Sequence, residues 1–494
     1  MTCKTTIIGV ERRWLAVCAA LAVGEYAGLR LAGFASLWPA AALLAAVAAL
    51  LGHGFSVRFW WIAATALAGF ALALRFAAEF ENTVGAAAER CRTEPVEIAV
   101  VATEDARLSR GKRRPALYAS FACLWGRQDL RVVAELPSDF PECEAPKAGE
   151  RWNCVGYVQR GRDGHVSSRP MMWVRGKRCS ARRLAPPSPV RRAIGKLRSS
   201  ISRRLGIGLE NEREALALSR AILLGDRRGL SPRTKQTFID SGTIHVFAIS
   251  GLHVMVIAKT LMFLSAFTFV SIRFSGVLVM PAVWLYVEIA GGQPSAVRAA
   301  TMATFASAAP LFFRRANWLV AWALAFLLAH ILNPFNLVRA GSAFSFVVML
   351  ALVLFSRTFE ELWKGRLMQS LGVSFLAWAA GVPIAARLFG RIAVSGIVGN
   401  VAMVPAAMAA TVSALAGVSL SLFSDSAAVW ANAAAGVILK AMAFMALVSS
   451  RLPFSHFTVE RWSLAECAAW YAGLIALMRL ASMVAERRRS FVYV

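Results

Sequence analysis

Between about residue 244 and the C-terminus, apolar stretches long enough to cross a hydrocarbon layer follow one another, and three more occupy the first eighty residues. A bilayer core about 30 Å thick takes about 20 residues of helix, and inside it every backbone N–H and C=O must be bonded within the protein. These runs predict a polytopic α-helical membrane protein. Composition agrees: 57% of the 494 residues are hydrophobic and 17% charged, where a soluble domain carries about a quarter charged residues.

The first run, at about 14–31, follows Lys4, Arg12 and Arg13, a charge bias that places the N-terminus in the cytoplasm. Runs at about 37–51 and 59–76 come next, without a suitably placed A-x-A cleavage site, so three retained helices are expected rather than a signal peptide. Three crossings put the following segment outside. Further helices are expected at about 244–262, 265–290 with a break near Arg273–Gly276, 294–312, 317–332, 341–356, 370–388, 394–422, 427–449 and 464–482. Pro281, Pro294, Pro383, Pro405 and Asn400 predict interruptions, which membranes tolerate where backbone lines a cavity or packs on protein. Arg487, Arg488 and Arg489 then lie on the cytoplasmic face.

The chain divides into N-terminal helices at 1–81, a β module at 82–185, a linker with amphipathic helices at 186–243, and the main membrane domain at 244–494. In the β module the pattern changes to period two: Val96, Ile98 and Val100, then Leu117, Ala119 and Phe121, then Val132, Ala134 and Leu136. A strand at Trp152–Gln159 and a hairpin reaching Val174 complete a set of about five strands, for which a small closed β-barrel of the OB type hides the edges most economically. The expected fold is thus a polytopic α-helical membrane protein with an extracytoplasmic small OB-like insert. Its Cys91, Cys123, Cys143, Cys154 and Cys179 allow one or two disulfides in an oxidising compartment, with one thiol left over and the pairing undetermined.

After Pro186, Pro187 and Pro189, basic residues (Arg191, Arg192, Lys196, Arg198, Arg203, Arg204) alternate with Ile194, Leu197, Ile201 and Leu205. This is a basic amphipathic helix, lying on a membrane surface or docked on the bundle. A second covers Glu212–Leu224, and a third runs towards Asp240 with Ser231 as its N-cap.

The net charge is +27, and residues 82–235 hold 31 basic and 16 acidic residues, so this third of the chain supplies +15 of it. Such a balance suits a polyanion, either nucleic acid or anionic lipid headgroups. No CxxC pair, clustered histidines, phosphate-binding GxxxxGK[ST] or HExxH helix is present, which argues against a zinc site, a zincin protease or an ATP-driven motor. No cofactor is expected.

The run Ser241-Gly-Thr-Ile-His-Val-Phe-Ala-Ile-Ser-Gly-Leu-His-Val254 sets His245, Ser250, Gly251 and His253 in or beside a span. It closely resembles the signature of the ComEC-type competence proteins, inner-membrane channels that admit single-stranded DNA in natural transformation. Leu223-Leu-Gly-Asp226 stands upstream, Gly292-Gln-Pro-Ser-Ala-Val-Arg-Ala299 looks like the second family motif, and Asn333-Pro-Phe-Asn336 with Ala340–Phe346 the third. The third is the weaker match, since Ser342-Ala-Phe-Ser stands where a glutamine-bearing run is common. Phe389–Pro405 resembles the fourth. Many members continue into a metallo-β-lactamase-like domain with an HxHxDH cluster; no such cluster stands in this sequence, so nuclease activity is not carried over.

The resemblance implies a transport protein rather than an enzyme, with single-stranded DNA and membrane lipids as partners. A DNA receptor outside, a helicase-like ATPase inside and a separate nuclease would complete the system. Channel candidates are His245, Ser250, Gly251, His253 and Arg298, because ionisable groups in spans are expensive and mark pathways. On one unbroken helix the two histidines would share a face; a break at Ser250–Gly251 would instead free N–H groups for an anion. Glu288 is the expected partner of Arg298, while Lys259, Arg387 and Arg391 are expected to snorkel to an interface. In the β module Arg110, Lys112, Arg113 and Arg114 with Tyr118 and Trp125 combine cations for phosphates with rings for bases. The competing readings are a membrane enzyme using His245 and His253 as acid and base on a lipid-linked or small polar substrate, which lacks a third group, and a scaffold or lipid-binding protein.

Overall fold

The computed structural model describes strand backbone between 96 and 186, and residues 188–492 apart from 228, 248, 250, 266–271, 313–315, 333–339 and 453. The three helices expected within 1–81 lie outside the described residues, as do Arg110, Lys112, Arg113, Arg114 and Ser250.

The period-two segments form strands where alternation placed them: β1 Val96–Ala102, β3 Ala116–Trp125, β4 Gln128–Leu136, β5 Arg151–Gln159 and β6 Met171–Trp173. Two short strands were not foreseen, β2 Arg107–Ser109 and the arginine-bearing β7 Ser180–Ala185. β1 pairs antiparallel with both β3 and β5; β3 pairs with β4, β4 runs parallel to β6, and β6 pairs with β5. β2 adds to β3 and β7 to β5. On β5, Trp152 and Cys154 are buried and the Trp152 indole donates to Glu150 at 3.1 Å.

Three helices follow: α1 Pro189–Arg204, α2 Arg213–Leu224 and α3 Pro232–Asp240. Ser188 and Ser231 cap α1 and α3, each accepting the N–H three residues on, and each is followed by a proline whose fixed φ suits the first helical position. Nine more helices are described beyond residue 250: α4 Gly251–Ser265, α5 Ile272–Ile289, α6 Pro294–Ala308, α7 Trp318–Leu332, α8 Ala340–Leu362, α9 Arg366–Phe389, α10 Gly396–Leu420, α11 Asp425–Arg451 and α12 Leu464–Val492. A two-stranded ladder, β8 Arg391–Ala393 with β9 His456–Thr458, ties the α9–α10 connection to the one after α11.

Five of these helices, α8 to α12, are long and apolar enough to cross a membrane, and α8 to α11 alone, at 23 to 27 residues, measure about 35–40 Å. The molecule is thus a multi-pass membrane protein. α4, α6 and α7 have 15 described residues each, and α6 continues into a 3-10 turn at Ala309–Phe312. These three helices carry buried ionisable groups: His253, Arg298 and His330.

Among the described residues, the two largest of several buried clusters organise much of the packing. One joins α6 to α9 and α12 through Trp322, Phe326, Phe346, Leu350, Ile384 and Tyr471. The other sets α1–α3 on the α10–α11 hairpin, where alanines at 407, 410, 414, 435 and 446 are buried and let backbones approach closely. The basic helix α1 therefore docks on the bundle. Arg198 donates to the Ile289 and Leu224 carbonyls at 2.9 and 3.1 Å, and Arg204 to the Ser421 carbonyl at 2.6 Å. Asn432, buried on α11, donates to the Arg204 and Ile207 carbonyls at 2.9 and 3.0 Å. Asn432→Ala strips both carbonyls of that donor, a loss of about 1–3 kcal/mol, and the expected result is faster tryptic cleavage after Arg203 and Arg204 in detergent-solubilised protein.

Candidate functional site

The run 241–254 does not form one helix. Gly242 turns the chain with φ +72°, and an added Cβ would lie 2.8 Å from that of Ala393. The Ser241 and Thr243 hydroxyls bond across the turn at 2.7 Å. A 3-10 turn covers Ile244–Phe247, and α4 begins only at Gly251. Ile249, between these elements, belongs to neither helix, so protein around it must supply the partners of its N–H and C=O. Gln293 accepts the Ile249 N–H at 3.2 Å, the Ser295 hydroxyl donates to the Ile249 carbonyl at 2.6 Å, and Arg227 donates to the Phe247 carbonyl at 2.9 Å.

Separate segments meet at this break. Gly225 sits with φ +66°, where an added Cβ would collide with the Gln293 amide and reach Ile249; the Tyr286 hydroxyl donates to the Leu223 carbonyl at 3.1 Å. On the other side Ser395 donates to the Ser241 carbonyl at 3.2 Å, and Arg391 pairs with Asp240 at 2.9 Å. Thus 223–226, 241–251, 293–295 and 391–396, spread over some 170 residues of sequence, close around one irregular stretch.

His245, in the 3-10 turn, is exposed, with Nδ1 3.2 Å from the Gly242 carbonyl. His253, in the first turn of α4, is buried. The continuous helix that would have set both on one hydrated face is interrupted, so the arrangement gives little support to a shared acid–base pair. Gly251 opens α4 against Ala299 of α6.

Arg298, 6% exposed, finds a partner other than Glu288. Its Nη2 donates to the Gly341 carbonyl at the start of α8 at 3.0 Å, and the guanidinium carbon lies 4.8 Å from the centroid of the Phe346 ring. Buried Nε has no hydrogen-bond partner, and no ion pair to Arg298 occurs among the described residues. Beyond Phe346 lies His330, which the sequence reading did not select although it is an imidazole within a span. Its Nδ1 donates to the Phe326 carbonyl at 2.8 Å, and its ring stacks on Phe326 at 3.9 Å and lies 5.5 Å from Phe346. α6, α7 and α8 therefore share a buried cation–aromatic–imidazole group. Such a guanidinium, held by one carbonyl and one ring face, retains donors for a phosphate or carboxylate.

Arg387 donates to the Trp462 carbonyl at 2.7 Å; with the Arg391 pair, this makes both arginines internal ties between helix ends rather than the snorkelling groups expected. Tyr118 and Trp125 occupy β3, Tyr118 opposite Arg107 of β2 and Glu135 of β4.

Residues 222–484 match the competence protein family. The chain belongs to that family. Over 192 residues, 39% of the chain, it is 29% identical to ComE operon protein 3 of Bacillus subtilis (strain 168). That alignment covers 25% of the relative's length, so the chain matches a quarter of it. No solved structure matches the chain. All the segments gathered at the break lie in the part matched by the competence family.

Proposed function

We propose that this protein is an inner-membrane channel that passes single-stranded DNA into the cytoplasm during natural transformation. Membership of the competence family implies a part in DNA uptake, and the observation that carries the finer reading is the gathering of 223–226, 241–251, 293–295 and 391–396 around a broken span beside α6. Broken spans with free helix ends are how membrane proteins present backbone and dipoles to a passing ion or polar group. In this reading Gly251 and the N-terminus of α4, His253, Arg298 and the exposed His245 flank the path, and Ser250 belongs with them. Arg298 supplies the phosphate contact.

In this reading the N-terminus lies in the cytoplasm and the β module outside, an orientation supported by the charge bias before the first span. The module is OB-like in this reading, supported by ladders that run from β1 through β3, β4, β6 and β5 back to β1, with β4 and β6 parallel, the ring a five-stranded Greek-key barrel needs. Arg110, Lys112, Arg113, Arg114, Tyr118 and Trp125 hold the strand by phosphate contact and stacking. Energy and strand delivery come from partners: a receptor outside, a helicase-like ATPase inside and a separate nuclease.

A strain deleted for this chain is expected to accumulate labelled DNA outside the inner membrane and to deliver none to the cytoplasm, with delivery restored by the wild-type chain. Unchanged cytoplasmic delivery in the deletion overturns the channel. Purified full-length protein is expected to bind single-stranded DNA with an affinity that falls steeply with salt, as phosphate contacts release counterions.

A further inference from the structure

The segment between α1 and α4 is too charged to be a span, yet it runs the whole length of one. Helix α10 has 25 residues, about 37 Å. At its C-terminal end Arg204 bonds Ser421; at its N-terminal end the Ser241 carbonyl accepts from Ser395, and Gly242 packs on Ala393 and Gly396. Between these anchors the chain keeps to the α10–α11 hairpin: Leu209 and Ala215 lie against Gly436, and Leu218, Ala221, Ile222 and Phe238 join the buried cluster with Met403, Ala410, Leu439 and Met442. Residues 204–241 therefore pass from one end of α10 to the other.

Their outer face is polar at depths where lipid would have to cover it. Glu212 pairs with Lys440 at 2.6 Å, and these side chains remain 42% and 52% exposed. Lys440 is the sixteenth of the 27 residues of α11, about 22 Å from one end and about 17 Å from the other, further than a lysine can snorkel. Asn211, Arg213, Glu214, Arg233, Lys235 and Gln236 are exposed on the same segment. By contrast Trp430, Val437 and Phe444, spaced by seven along α11, are 80%, 66% and 65% exposed and form an apolar stripe suited to acyl chains. Charged groups in a bilayer face water or other polar partners, not lipid.

We infer that residues 204–241 cross the bilayer as one wall of a water-filled passage, with the Glu212–Lys440 ion pair near mid-depth. The segment is a crossing that hydropathy misses, because α2 and α3 bury their apolar faces on α10 and α11 and turn their charges to water. The inference rests on α10 and α11 spanning the membrane and not on DNA being the cargo.

Cysteine labelling of the full-length chain in sealed membrane vesicles tests it, with a membrane-impermeant quaternary-ammonium methanethiosulfonate as the probe and peptide mass spectrometry reading the new residue. Only a hydrated thiolate reacts, so Arg213→Cys and Lys235→Cys are expected to label within about tenfold of the surface position Arg191→Cys, and Val437→Cys and Phe444→Cys about 100-fold more slowly. If Arg213→Cys and Lys235→Cys label as slowly as Phe444→Cys, lipid or protein covers the face and the passage is refuted. If Phe444→Cys labels as fast as Arg191→Cys, α11 does not span and the crossing is refuted. Neither result depends on transformation, so loss of the DNA reading would leave this one standing.

Discussion

Arg298→Ala is expected to lower cytoplasmic arrival of transforming DNA about 100-fold or more, with the protein still present in the membrane at near wild-type level. A loss of that size corresponds to about 2.7 kcal/mol, within the range of a charge-assisted contact made to cargo in a dry setting. The protein should survive because the Gly341 carbonyl lies in the first turn of α8, where helical geometry gives it a second, intrahelical partner, and because removing a buried cation also removes its desolvation cost. Arg298→Lys keeps the charge but loses the planar fork that lies over Phe346 and is expected to fall between the two. Uptake assays beside quantitative membrane immunoblots decide it. Wild-type uptake by Arg298→Ala removes the arginine from the path; equal loss of protein in both variants makes its role structural.

Trp322→Ala should be the most destabilising single truncation in the α6–α9 cluster. The indole is fully buried, donates to the Phe346 carbonyl at 3.0 Å, stacks on Phe326 with centroids 5.3 Å apart and meets Phe346 edge-on at 6.0 Å. We expect about 3 kcal/mol, the lower end of the range for such truncations in water-soluble cores, because packing rather than transfer from water holds helices together in lipid. Thermal unfolding in detergent reads this as a lowered midpoint, with Trp322→Phe intermediate. Since Phe346 is the ring beneath Arg298, Trp322→Ala is also expected to reduce uptake at temperatures where the protein remains folded.

What the sequence made legible was local. Alternation at Val96, Ile98 and Val100 is enough to mark a strand, and apolar runs marked the place of every helix from α4 to α12. Polar ends were read short: α8 continues to Leu362 through Arg357, Glu360 and Glu361, where hydropathy falls although the helix does not. The arginines of β7 hid a strand whose pairing with β5 comes from the backbone. Nothing local reveals which carbonyl lies opposite a side chain. Glu288 is near Arg298 in sequence, whereas Gly341 and Phe346, more than forty residues away, are near it in space. The motif residues Gln293 and Ser295 were visible, but their task, holding the N–H and C=O of Ile249, appears only once α6 is laid beside the break.

Pro186, Pro187 and Ser188 alone separate β7 from α1. Three residues biased to the extended polyproline conformation reach about 10 Å and bend little. Counted along the chain, the β module and α1 are thus joined by a link of at most about 10 Å. If the module holds DNA as proposed, so short a link would present it to the bundle at an effective concentration of about millimolar or above, which would make passage from one to the other an intramolecular step.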